Sequence, residues 1–259
     1  SPEVREQLNL AQRNAKSLLS LVNQLLDFRK VESGRIMITK KQIQMSETFL
    51  NSAVLAVSGG FQDAYTYFTR DKVFSNAQTG NVVLMSQNFM TGNIVGGIKY
   101  LFPFLAFGLG VFVTEQINAR YKMAKKIHWR QLVLLIEIII LTIVGFIPET
   151  FNMVATIMVS FSCAMQVQAF RKVNGFAYAS TMCIGNLRSG TDALSVFVRE
   201  RKKEQLFKAI HYFGIIFFFA LGAGIGGNLS ETFGIHTIWV SSVILMVSMV
   251  LMWYEKFRI

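Results

Sequence analysis

The sequence predicts an all-α, polytopic membrane protein. Six transmembrane helices and two half-helices form a 3+3 inverted repeat, preceded by a soluble, coiled-coil-like helix. Three observations predict this. The 259 residues are 52% hydrophobic and only 16% charged, against about 25% charged residues in an ordinary soluble domain. Several apolar segments approach the roughly 20 residues that a helix needs to cross a bilayer. The polar interruptions between them come twice, in the same order, once in each half of the chain.

Residues 1–39 form a region of their own. Leu8, Ala11, Ala15, Leu18, Val22 and Leu25 recur at alternating spacings of three and four, which is a heptad seam. Pro2 suits a first helical turn, and Ser33-Gly34 is a stop. Gln12-Arg13-Asn14-Ala15, Leu18-Leu19 and the run from Val22 to Gly34 resemble the second dimerisation helix of bacterial hybrid histidine kinases. The resemblance implies a helix that pairs in a four-helix bundle, and so a homodimer. The family's phosphoaccepting His lies on a preceding helix, whereas His128, His211 and His236 all lie far downstream. Kinase activity is therefore not carried over. The reading is a dimerisation helix fused to a membrane protein. A basic start followed by an apolar core is missing, so no signal peptide is expected.

The membrane domain is expected over 46–254, with one repeat over about 46–148 and the second over about 149–254. The first span runs from about Glu47 to Phe68 and holds Gly59-Gly60 and Asp63. After Arg70-Asp71-Lys72 comes a motif ending in Thr79-Gly80-Asn81. Residues 81–93 are too short to span, since about 13 helical residues rise only about 20 Å. Spans follow at 98–117, at 131–147 with Glu137 inside, and at 151–170. The second motif ends in Ile184-Gly185-Asn186 and opens another half-helix, 184–198. There Arg188 and Asp192 stand four apart, on one face and able to pair internally. The last spans are 206–227 and 235–254, separated by a connection at 228–234.

Charge chooses the topology. The net charge of +11 falls mostly between the spans, where it sets orientation rather than binding nucleic acid. If both half-helices dip in and return, the basic loops at 120–130, 171–180 and 199–208 share the cytoplasmic side with both termini. Arg70, Lys72 and Lys99 are the exceptions. The location is then a bacterial inner membrane. Three crossings per half make the second half inverted. An offset of 105 residues aligns Asp63 with Gln168, Ser75 with Ser180, Gly80 with Gly185 and Asn81 with Asn186.

Gly59-Gly60-Phe61-Gln62-Asp63-Ala64, Val73-Phe74 through Thr79-Gly80-Asn81, and Ala164-Met165-Gln166 followed by Gly185-Asn186-Leu187 resemble the YoaK-like family of bacterial membrane proteins, long classed as a domain of unknown function. The resemblance covers about four fifths of the chain, taking in residues 46–254. It implies six spans and leaves the activity open. Ile184 replaces the family's Thr, and Ala164 stands where Gly is usual.

The candidate substrate site gathers Asp63, Thr79, Gly80, Asn81, Gln166, Gln168, Gly185 and Asn186. Gly80 and Gly185 are expected to turn the chain into the half-helices. Asn81 and Asn186 are expected to cap the helix starts, whose free N–H groups favour an anion or a carbonyl. Asp63, an acid in a membrane segment, is a functional candidate by default. Glu137 is protonated, paired or at a subunit contact. Tyr65, Tyr67, Tyr100 and Trp129 read as interface anchors, and Cys163 and Cys183 as small packing residues. No nucleophile constellation, cofactor motif or metal spacing is present, so no enzyme is expected. The leading reading is a small-molecule transporter. A passive channel of the same architecture and a membrane sensor or scaffold working through residues 1–39 are the alternatives.

Overall fold

Many of the fully buried side chains are polar, and many of the exposed ones are apolar. Asn51, Ser58, Gln62, Asn81, Glu137 and Gln166 are completely enclosed, while Leu109, Phe112, Phe217, Val243 and Val250 point outward. A surface this apolar is stable against lipid rather than water.

The computed structural model describes residues 48–121, 128–173 and 176–256. The chain divides into two units, Ser1–Gln42 and Ile43–Ile259, and every described residue belongs to the second. The expected N-terminal helix, its heptad seam and its dimer lie outside the described residues. So do Lys122, Lys125 and Lys126 of the first basic loop.

The described residues form helices α1 (Phe49–Thr69), α2 (Gln78–Met90), α3 (Ile94–Tyr121), α4 (Trp129–Val144), α5 (Asn152–Ala169), α6 (Cys183–Glu200), α7 (Lys203–Phe233) and α8 (Ile238–Lys256). One small antiparallel hairpin, β1 (Lys172–Val173) with β2 (Phe176–Ala177), precedes α6. Each expected span coincides with one long helix. Among the described residues, three stretches are long and apolar enough to cross a membrane: Ile94–Tyr121, Glu149–Ala169, and Lys203–Trp253, which takes in α7 and α8. The expected connection at 228–234 is instead mostly helix. The helix α7 runs on to Phe233 because nothing in Asn228 to Thr232 breaks it. It stops at Gly234, whose φ of 61° and ψ of −139° suit glycine alone.

The helices α1 and α5 are the most enclosed. Helix α1 packs chiefly on α7 and also on α8; α5 packs chiefly on α3 and also on α4. Helices α4 and α8 pack on each other, while α2 lies on α3 and α6 on α7. Small residues let the main pairs approach. A side chain at Gly60 would strike the Phe219 carbonyl of α7, and one at Gly110 would strike Phe161 and Ala164 of α5. Polar pairs bind α1 to α8. Ser58 and Ser241 share a 2.8 Å hydrogen bond, and the Ser248 hydroxyl donates to Asn51 at 2.7 Å.

Arg70 heads the fully buried side chains by size. Its Nε donates to the Tyr65 hydroxyl at 3.0 Å and its Nη1 to the Asn152 carbonyl oxygen at 2.9 Å. Its Nη2 donates to the main-chain carbonyls of Val144 at 3.1 Å and Ile147 at 2.9 Å. The Val144 carbonyl ends α4 and that of Ile147 lies in the turn that follows, where helices leave acceptors short of partners. The Asn152 amide in turn donates to Asp71 at 3.0 Å. Asp71 and Lys72 both hold left-handed backbone, at φ of 60° and 59°, a conformation costing roughly 1–2 kcal/mol per non-glycine residue. The network fixes that turn. Arg70, an exception in the charge count, is fully buried and spends four of its five N–H donors inside the chain. One expectation is corrected here. Tyr65 is no interface anchor, because it is fully buried and donates to the Ile235 carbonyl at 2.9 Å.

Replacing Arg70 with Lys keeps the charge but loses the fork, stranding buried acceptors. The expected cost is about 2–4 kcal/mol, read as a lower unfolding temperature of the purified protein. An unchanged temperature would show that the fork is dispensable.

Candidate functional site

The half-helices begin earlier than the sequence motif suggests. Helix α2 starts at Gln78 behind Ala77, and α6 starts at Cys183 behind Met182; neither preceding residue caps through its side chain. The two starts keep the 105-residue offset. Asn81 and Asn186 therefore lie one turn inside their helices. Asn81 Nδ2 donates to the Phe74 carbonyl at 2.7 Å, and the Phe74 N–H donates back to Asn81 Oδ1 at 3.1 Å. Asn186 does the same with Ala179, at 2.7 and 3.4 Å. Each Asn closes a loop of equal length onto its own half-helix. The capping expectation is corrected to a loop clamp, which needs one donor and one acceptor on a planar group and so selects Asn.

The glycine expectation is also corrected. Gly80 and Gly185 sit within the first helical turns, and neither has positive φ. The space around Gly185 is open, and at Gly80 only the Phe74 ring is close.

A cavity of about 670 Å³ opens between the two helix starts. Asn76, Ala77, Gln78 and Thr79 line it from the first copy, and Thr181, Met182, Cys183 and Ile184 from the second. Asp63 of α1 joins them, with Phe104, Leu105, Phe107 and Gly108 of α3 and Phe219 of α7. The walls are mostly apolar, with a few convergent polar groups, the usual make-up of a small-molecule site. The Cys183, Ile184 and Gly185 N–H groups, in the first turn of α6, meet no main-chain carbonyl among the described residues. Such donors, with the positive end of the helix dipole, favour an electron-rich group.

Asp63 is buried. Its Oδ1 accepts from the Asn76 N–H at 2.8 Å and from the Ser75 hydroxyl at 3.3 Å. The acid thus neutralises the start of α2 from within the chain. Gln166 is fully buried and donates to the Leu55 carbonyl and the Ser180 hydroxyl, both at 3.0 Å. Gln168 turns away and donates to Glu115. Residues two apart on a helix point to opposite sides, so both glutamines could not share one site.

Of the eight expected substrate-site residues, Asp63 and Thr79 line the cavity. Asn81, Asn186 and Gln166 support it from behind, and Gln168 lies apart. Arg188 and Asp192 are exposed and make no ion pair with each other. The internal pair is corrected, because α6 buries only Asn186, Gly190 and Ala193. Glu137 is completely enclosed within the chain, with no hydrogen-bond partner for either oxygen, so it faces neither lipid nor another subunit. His211 packs against Phe49 and Phe207.

Asn76, Gln78 and Thr181 escaped the sequence reading, and Cys183 was expected only to fill space, although the 105-residue offset pairs Asn76 with Thr181 and Gln78 with Cys183. Cys163 is buried and donates its thiol to Gln62 at 2.9 Å, whereas Cys183 is only partly covered and faces the cavity.

Asn81→Leu and Asn186→Leu each remove both bonds of one clamp. Each is expected to cost about 2 kcal/mol, measured as loss of thermal stability, with Asn→Asp failing almost as badly because a carboxylate cannot donate. Full stability in either variant would remove the clamp role.

No curated protein and no solved structure matches the chain. A family described as "Protein of unknown function (DUF1275)" matches residues 52–251, in keeping with the resemblance drawn from the motifs. That match takes in both loop clamps and every residue that lines the cavity, and the chain belongs to the DUF1275 family.

Proposed function

We propose that the chain is an integral membrane transporter for a small molecule, with its binding site in the cavity between the starts of α2 and α6. In this reading α1, α3, α4, α5, α7 and α8 cross a bacterial inner membrane, both termini are cytoplasmic, and α2 and α6 are re-entrant. The observation that carries it is the meeting of two helix starts at one half-open cavity that holds a few polar groups. Irregular backbone at membrane depth is tolerated where it lines such a space, and transporters recurrently place substrates there.

The packing pattern supports the inverted repeat. Exchanging α1–α4 with α5–α8 turns the α1–α7 pair into α5–α3, and α2–α3 into α6–α7. The same exchange turns α1–α8 into α5–α4 and α4–α8 into itself. The two Asn clamps obey the same exchange. Within the cavity, Asp63 and Gln78 offer polar contacts on one wall, and the open N–H groups of α6 offer them on the other. Phe104, Phe107 and Phe219 would cover the apolar part of a substrate.

Cys183 tests this directly, since Cys163 is enclosed. A membrane-impermeant maleimide is expected to label Cys183 from both faces, in sealed right-side-out and inside-out vesicles, as a site with alternating access requires. Planar bilayers containing the protein are expected to show no steady conductance. Steady conductance would favour the channel instead. Labelling from one face alone would remove both readings.

A further inference from the structure

Beside the cavity, near Asp63, the chain leaves a group of buried oxygen acceptors unmet. We propose that the Asp63 carboxylate, the Asn76 and Gln166 amide oxygens and the Thr181 hydroxyl together hold one monovalent alkali cation. The inference deepens the transporter reading and rests on it for what the cation is for, namely coupling.

These residues meet around Gly59. The Asn76 side-chain amide donates to the Gly59 carbonyl at 3.1 Å. A side-chain carbon at Gly59 would collide with Thr181 and lie 3.7 Å from Gln166 Nε2. Gln166 reaches Ser180, the neighbour of Thr181, at 3.0 Å. Asp63 stands one helical turn beyond Gly59 on α1, and its Oδ1 accepts from the Asn76 N–H at 2.8 Å. Asp63, Asn76 and Thr181 also line the same cavity. Gly59 is the hub, and its lack of a side chain lets the two motif loops close around it.

The chemistry at this point is one-sided. Asn76, Gln166 and Thr181 are all more than nine-tenths buried. Asn76 Oδ1, Gln166 Oε1 and Thr181 Oγ1 have no hydrogen-bond partner. Both amide orientations are fixed, because each nitrogen already donates to a carbonyl. What remains is mostly acceptor, beside one Asn76 N–H and the Thr181 hydrogen, which can rotate away. A bound water would bring lone pairs as well as donors, whereas a cation brings no surplus acceptor. Leaving such oxygens unmet costs roughly 1–3 kcal/mol each.

Oxygen ligands alone select a hard cation. No group of three or more His, Cys, Asp or Glu that could hold a metal occurs among the described residues. A single carboxylate balances a single positive charge. A divalent ion would bury an excess charge, which a low-dielectric interior penalises heavily. The cation is therefore of the sodium or potassium class.

The experiment needs no substrate, so its result stands apart from the labelling test of transport. The full chain, purified in detergent, is melted in sodium, potassium and choline chloride at equal ionic strength. The unfolding temperature is expected to rise saturably with sodium or potassium and stay flat in choline. Thr181→Val keeps the branched shape and loses one oxygen, and is expected to move the midpoint of the response at least about tenfold higher in concentration. Asp63→Asn is expected to abolish the response. Equal melting in all three salts overturns the proposal. So does a cation response that neither substitution alters, because the ion then sits elsewhere, and so does a response to pH alone, because the acid then takes only a proton.

Discussion

A helix interrupted within an apolar medium exposes main-chain donors and acceptors that only the protein itself can satisfy. Helix ends are enclosed at several points here, and the buried polar side chains are concentrated where they answer them. Arg70 supplies donors to the end of α4. Arg130 Nε donates to the Ala169 carbonyl at 3.0 Å, closing the end of α5. Asn81 and Asn186 tie down the loops that precede α2 and α6. Once these groups are satisfied, the loops have fixed shapes, and the two half-helix starts are held at opposite walls of one space.

This requirement also explains how residues are sorted between inside and outside. Helices α1 and α5 carry much of the polar load, from Asn51 and Gln62 to Asn152 and Gln166. They could not face lipid, so α7 and α8 wrap α1, and α3 and α4 wrap α5. The outer helices present Phe, Leu, Ile, Val and Met to their surroundings. Glycine at the contacts sets how closely the helices meet, and Gly60 against Phe219 brings α7 near enough for Phe219 to reach the cavity.

The long helices were legible because apolar runs of that length have few other uses. The polar helices α2 and α6 were legible because their motifs came twice at one spacing. What stayed hidden was partnership. Counting charges treats Arg70 as an anomaly, since nothing local says that Val144, Ile147 and Asn152 wait for it across the fold. The local pattern makes Asn81 a cap, since the loop it closes begins seven residues earlier. Gln166 and Gln168 look equivalent in a span, yet the helical turn sends them to different neighbours. The cavity residues next to the motif glycines could be found only after the helix starts had moved back by one turn.

The two motifs share their Asn clamps and differ in charge. At equivalent positions the first copy has Asp63 and the second has Gln168. Asp63 takes the Asn76 N–H and so cancels part of the positive end of α2. Gln168 is spent on Glu115, and the Cys183, Ile184 and Gly185 N–H groups meet no main-chain acceptor among the described residues. The one carboxylate in the cavity lining therefore stands on the side of the first motif. A perfectly symmetric pair of half-helices would bind a guest equally in two orientations. The single exchange of an acid for an amide gives the same backbone a preferred direction, and nothing else in the cavity lining distinguishes its two ends by charge.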